Sequence, residues 1–126
     1  EALGDKRGIN RYGHAYVPMD EALARAVVDF SGRPHLVWDA EFEMPTLGTM
    51  ETELFREFFQ GVTNAAQANV HISVLYGANS HHKAEACFKA FARAVRMPVR
   101  FVWRRPLISA QQIRSHRPRA RWTADL

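Results

Sequence analysis

The sequence predicts an α+β fold with helices packed on one face of an antiparallel sheet, and three observations lead to it. Apolar residues first recur with period two, then at helical spacing, then with each period once more. Turn-forming and breaker residues fall between these stretches. The chain has 126 residues, 47% of them hydrophobic and 24% charged, enough for one globular domain and hardly more.

The opening, Glu1 to Arg11, is polar and reads as an entry segment; because it begins on Glu1 rather than Met, the native start is expected upstream. Tyr12 to Val17 predicts a strand closed by Pro18, which brings no ladder donor. Asp20 to Phe30 is ambiguous. Asp20 is a plausible helix cap and the alanines favour a helix, yet Leu23, Arg25, Val27 and Asp29 also alternate with Ala22, Ala24, Ala26 and Val28; propensity alone leans to helix. Ser31-Gly32-Arg33-Pro34 marks a turn, and His35 to Phe42 reads as a strand.

From Thr49 the period becomes helical, with Leu54, Phe55, Phe58, Phe59, Val62 and Ala66 on one stripe and Asn69 as the stop. Val70 to Tyr76 alternates as a strand, Gly77 to Asn79 turns the chain, and Ser80 caps a second helix. That helix would bury Ala84, Phe88, Phe91 and Val95 and end at Pro98.

Charge is divided unevenly. Residues 1–99 hold ten Lys and Arg against twelve Asp and Glu, a balance of −2, whereas residues 100–126 hold seven Arg against Asp125, a balance of +6. The net charge of +4 therefore belongs to the end of the chain and says little about the body. From Pro98 onward the chain reads as an irregular, disordered basic tail, of the composition that a shifted reading frame through GC-rich DNA would produce. The lone Cys87, inside an apolar helix, excludes a disulfide framework or multi-cysteine zinc module, and a reducing, cytoplasmic setting is expected. No apolar run approaches the roughly 18 residues of a membrane helix, and no signal-peptide pattern is present.

One segment carries chemistry: Ser80-His81-His82-Lys83-Ala84-Glu85-Ala86-Cys87-Phe88-Lys89. At about 100° per residue, His81, Glu85, Lys89 and His82 share one sector of the helix beside the apolar one. Imidazole nitrogen with carboxylate oxygen suits Mn²⁺, Fe²⁺ or Zn²⁺, the two histidines diverge enough to serve two ions, and a lysine offers a point charge to phosphate. On spacing alone, a solvated helix surface is the commoner origin of such a cluster, and two ligands from one helix do not close a site. His71 reads as a half-buried sheet residue, His14 and His35 have no nameable partner, and Glu57 reads as the outer face of its helix. Arg11 and Arg33 are loop charges or oxyanion clamps.

Gly8-Ile9-Asn10-Arg11-Tyr12-Gly13, Val17-Pro18-Met19-Asp20-Glu21-Ala22-Leu23, Asp29-Phe30-Ser31-Gly32-Arg33-Pro34 and His81 to Phe91 together resemble the second half of imidazoleglycerol-phosphate dehydratase, in the family's order and spacing over residues 1 to about 97. The resemblance implies a half-domain of a duplicated fold, a four-stranded sheet with two helices of the ribosomal S5 domain 2-like type. It makes Glu21–Phe30 a strand, against the helix-leaning reading.

It also implies a lyase of histidine biosynthesis that converts imidazole glycerol phosphate to imidazole acetol phosphate with two Mn²⁺ per complete site, the sites lying between subunits of trimers that build a 24-subunit shell. Residue by residue, it gives His81, His82 and Glu85 as metal ligands, with Glu85 also a candidate proton carrier. Glu57 stands where many members have a metal-binding histidine, and Arg11, Arg33 and Lys89 stand at positions that hold the substrate phosphate and polar groups. Asp20 matches a motif position treated as structural. The reacting C–H is unactivated, so a base alone is insufficient and a Lewis-acid metal at the ring makes sense of these residue types. The family's first half and its phosphate-binding C-terminal segment have no counterpart in residues 1–126, so the chain by itself is expected to be inactive and weakly Mn²⁺-binding. Other classes are a nucleic-acid-binding module gripping phosphates through the Arg-rich tail with Phe101, Trp103 and Trp122, and a non-enzymatic assembly fragment.

Overall fold

A computed structural model describes Gly4 and residues 8–103, with the backbone alone for residues 100–103. Strands β1 (Tyr12–Met19), β2 (Ala22–Asp29) and β3 (His35–Asp39) are followed by a two-strand ribbon, β4 (Thr46–Leu47) and β5 (Met50–Glu51). Helix α1 (Glu53–Ala66), strand β6 (Asn69–Tyr76) and helix α2 (Ser80–Trp103) complete the order. The main sheet runs β1-β2-β6-β3 and is mixed: β1, β2 and β6 pair antiparallel, but β3 runs parallel to β6. The expectation of a wholly antiparallel sheet is corrected here, because α1 carries the chain from β3 back to the start of β6, and a helical crossover is the connection that parallel neighbours require.

Segment 22–29 is a strand, as the family resemblance implied and propensity did not. Ala22, Ala24, Ala26 and Val28 are buried while the residues between them are half-buried, a strict period of two. The same small side chains that favour a helix in isolation let α2 lie close on the sheet, meeting Ala86, Cys87, Ala90 and Ala94, each fully buried. Tertiary packing overrides propensity here. Phe59 and Phe55 of α1 fill the other half of the core, with Phe59 stacked on Trp38, tilted against Phe88 and edge-on to Phe91 at centroid distances of 5.3, 4.9 and 5.3 Å. The helical stripe is rotated from the expected one: Phe55, Phe59 and Thr63 are buried, while Leu54 and Phe58 stand half in solvent.

Several boundaries differ from the sequence reading. β1 continues through Pro18 to Met19, since an edge strand bonded only to β2 does not miss the proline's donor. β3 stops at Asp39 rather than Phe42, and α1 closes on Gln67, in the left-handed region at φ 51°, before Asn69. Helix α2 does not end at Pro98 but runs to Trp103 with that proline buried. The carbonyl that Pro98 leaves without its helical donor is that of Ala94, and it lies over Gly13 of β1. A Cβ at Gly13 would run into that oxygen and stand 2.7 Å from Pro98 Cδ, so the absence of a side chain at Gly13 lets the helix pass. The expected tail boundary at Pro98 thus falls inside a helix. Of the tail expected over residues 98–126, the stretch 98–103, with Phe101 and Trp103 of the expected nucleic-acid grip, belongs to α2, and residues 104–126 lie outside the described residues.

Cys87 is core, as expected: it is fully buried and its thiol is pushed up to about 12 by burial. A thiol reagent is expected to leave Cys87 untouched in the folded chain and to modify it fully in urea. Native-state labelling at the rate of a free thiol would contradict this placement.

Candidate active site

Helix α2 starts where β6 ends, and its first turn faces the β1–β2 hairpin. The cap is Asn79 rather than Ser80: Asn79 Oδ1 accepts the backbone N–H of His82 at 3.1 Å, and Asn79 O accepts that of Lys83 at 3.0 Å. Ser80 is turned inward and its hydroxyl accepts the Met44 N–H at 3.4 Å. Lys83, buried despite its charge, donates from Nζ to the Glu41 carbonyl at 3.1 Å and ties the segment after β3 to the helix.

Of the residues expected to act, three form a ladder along α2. Glu85 stands between His81, whose Nε2 is 3.3 Å from Oε2, and Lys89, whose Nζ is 2.6 Å from Oε1. The Lys89 hydrogen bond is the main reason the Glu85 carboxyl sits below the usual carboxylate range, with His81 adding to it. His82 shares the sector but engages differently: its Nδ1 is 2.7 Å from Glu21 Oε2, and its Nε2 is 3.5 Å from Asp20 Oδ2. The Glu21 contact raises the His82 pKa, with smaller contributions from the charges of Asp20 and Glu85. The rings of His81 and His82 lie 6.2 Å apart at 74° to each other. The two imidazoles thus diverge, one toward Glu85 and one toward the hairpin.

Arg11 and Arg33 are not brought to this cluster. Arg11 pairs bidentately with Asp29, at 2.6 Å from Nε and 3.0 Å from Nη2, a contact that raises its pKa. Arg33 follows in the Ser31–Pro34 turn, where its backbone N–H reaches the Ser31 hydroxyl at 3.2 Å. Both flank the Tyr12↔Asp29 end of the hairpin, whereas His82 meets the Met19↔Ala22 end. Eight residues of strand separate the two ends, on the order of 25 Å. Glu57 is also apart: it lies on the exposed side of α1, 3.4 Å from Arg56, along a cleft of about 800 Å³ that Trp38, Phe42 and Thr46 also line. His14, His35 and His71 are all exposed, so the half-buried reading of His71 is corrected; it lies on the face of β6 turned away from the helices.

Glu21 is the residue that reading the sequence missed. Its carboxylate accepts the backbone N–H of Asn79 at 2.7 Å and of Ala78 at 3.2 Å besides contacting His82, and these bonds, the Asn79 one foremost, lower its pKa to about 2. No spacing rule joins positions 21 and 82; only the register that sets Leu23 opposite Tyr76 does.

The donors fit a divalent metal in part. Imidazole and carboxylate are the ligand types that Mn²⁺ accepts, and a histidine whose Nδ1 is held by a carboxylate is in the usual state of a metal-binding one. Among the described residues, however, no group of three or more His, Cys, Asp or Glu side chains could hold an ion by itself. His81, His82 and Glu85 are therefore an incomplete set, which fits a centre completed by residues from elsewhere.

A mixed four-stranded sheet carrying two helices, with a His-His-x-x-Glu turn opening the second, is the architecture of the dehydratase structures described next. The imidazoleglycerol-phosphate dehydratase family model matches residues 1–95, and the chain belongs to that family. It is 63% identical over 99 residues to the imidazoleglycerol-phosphate dehydratase of Chromohalobacter salexigens, covering 79% of this chain and 50% of that protein. With the enzyme of the same name from Methylococcus capsulatus it shares 61% over 99 residues, again 79% of this chain and 50% of that one. The crystal structure of the Staphylococcus aureus enzyme superposes with a TM-score of 0.74 at 47% identity, covering 77% of this chain and 57% of that one. The chain thus spans about half the length of the curated relatives it matches. No helix among the described residues is long and apolar enough to cross a membrane. Nothing in the comparisons favours the nucleic-acid reading.

Proposed function

We propose that this chain contributes one half of the active site of a manganese-dependent dehydratase that converts imidazole glycerol phosphate to imidazole acetol phosphate in the cytoplasm. The observation that carries the reading is the His81–Glu85–Lys89 ladder beside a carboxylate-held His82, in a chain of this family. His81, His82 and Glu85 would hold the ions, two in each complete site, while Glu57, which lies apart from them in this chain, would add a ligand to the site of a neighbouring copy. When bound, the metal supplies Lewis acidity that draws charge from the substrate's imidazole ring. Glu85 takes up the proton from carbon, and Lys89, one turn along, places a positive charge for the phosphate. Loss of the proton and of the hydroxyl as water leaves an enol, which becomes the product ketone.

Arg11 and Arg33 also suit the phosphate, but they sit too far along the hairpin to meet the His82 of their own chain. The reading therefore places them in the site of a neighbouring copy, in keeping with sites shared between subunits of a trimer-built 24-subunit shell. Leu54, Phe58 and Met97, apolar yet exposed, fit a face covered by the other half-domain.

Co-expression of this chain with the complementary half of the Chromohalobacter salexigens enzyme, supplied with Mn²⁺, tests the reading. Ketone formation is expected from the mixture and from neither half alone. A mixture that assembles by size-exclusion chromatography yet forms no product would leave an assembly fragment as the better account.

A further inference from the structure

We propose that Glu21 is a positioning residue for His82: it holds the ring as the Nδ1–H tautomer and so keeps Nε2 as the ligand nitrogen. The inference rests on the metal reading above only for what Nε2 then binds; the orientation of the ring stands on geometry alone. Glu21 sits at the tip of the β1–β2 hairpin, beside Asp20 in the left-handed region at φ 46°. The tip is pinned to the turn before α2 by close backbone approach, for a Cβ at Gly77 would stand 2.7 Å from that of Ala22. One carboxylate oxygen, Oε1, is committed to the N–H groups of Asn79 and Ala78 at 2.7 and 3.2 Å. The other, Oε2, meets His82 Nδ1 at 2.7 Å. An ionised carboxylate only accepts, so Nδ1 must carry the proton that joins them. Among the described residues Nε2 has no such partner: Asp20 Oδ2, on a mostly exposed side chain, stands 3.5 Å away, too far for a well-made hydrogen bond. A neutral imidazole protonated at Nδ1 has its lone pair on Nε2, which is what a cation needs, and a carboxylate behind a ligating histidine is the arrangement that fixes such rings.

Glu21→Gln separates this role from bulk and from loop anchoring. The two backbone N–H groups still require an acceptor, so the glutamine oxygen takes the Oε1 place and its NH₂ faces His82. The ring must then accept at Nδ1 and carry its proton on Nε2. In the full chain labelled with ¹⁵N-histidine and held at alkaline pH, where the ring is neutral, long-range proton–nitrogen NMR reads the tautomer directly. The wild-type His82 is expected as Nδ1–H and the Glu21→Gln ring as Nε2–H. A wild-type Nε2–H ring overturns the inference without any variant, and so does a Glu21→Gln ring that stays Nδ1–H.

Mn²⁺ added to the same samples is expected to broaden the His82 ring signals at about 10–100-fold lower concentration in wild type than in Glu21→Gln. Equal broadening in both would overturn the positioning role. The expected tautomers with no broadening in either would leave the positioning role intact and remove the metal reading instead.

Discussion

Phe59→Ala is expected to unfold the isolated chain. Phe59 is fully buried and its ring touches Trp38 of β3, Phe58 of its own helix, and Phe88 and Phe91 of α2, so it is the joint at which both helices meet the sheet. Truncating such a phenylalanine costs about 3–5 kcal/mol, from lost transfer energy and the cavity left behind. Domains of this size hold about 5–15 kcal/mol in all, and one that leaves Leu54 and Phe58 in water belongs near the lower end. Urea denaturation followed by circular dichroism should show the far-ultraviolet signal of the variant already collapsed, or its midpoint moved to very low denaturant. Phe58→Ala is the matched control, one residue away and also against Phe88 but half exposed. It should cost about 1 kcal/mol or less, because about half the ring is already in solvent. Equal losses for the two would mean that the core is not centred on Phe59.

The contrast between these phenylalanines also shows how far the sequence could be read. Helical spacing placed both on one stripe, and it could not tell which sits at the centre, because that depends on where the sheet lies. The elements whose signal is local were legible: the alternation of β6, the helical period of α1, and the sector holding His81, Glu85 and Lys89. Three features were not, and each depends on a distant segment. β2 is a strand because α2 packs on its alanines, Pro98 stays helical because Gly13 makes room for the Ala94 carbonyl, and Glu21 reaches His82 because the register that sets Leu23 opposite Tyr76 carries the hairpin tip to the turn before α2. The family resemblance corrected the first, and nothing in it touched the other two.

Glu85→Gln, in the complemented assembly, is expected to abolish most dehydration while leaving the fold in place. The substitution keeps the side chain's size and removes its charge, so the His81 and Lys89 contacts at 3.3 and 2.6 Å lose the anion that organises them. If the carboxylate moves the proton, kcat should fall about 10²–10⁴-fold, the usual contribution of a placed acid or base. Lys89→Met provides the contrast. It touches the same carboxylate, yet its proposed part is to bind phosphate, so KM should rise with a smaller change in kcat. Calorimetric titration of the 126-residue chain alone gives the companion measurement. With only His81, His82 and Glu85 in reach, Mn²⁺ should bind at least about 10-fold more weakly than in the assembly, and Glu85→Gln should weaken it further. Tight stoichiometric binding by the lone chain would mean that its own residues close the site. A Glu85→Gln assembly that turned over normally would remove this carboxylate from the chemistry and leave the ladder as a helix-surface ion pair, of the kind that adds little to stability.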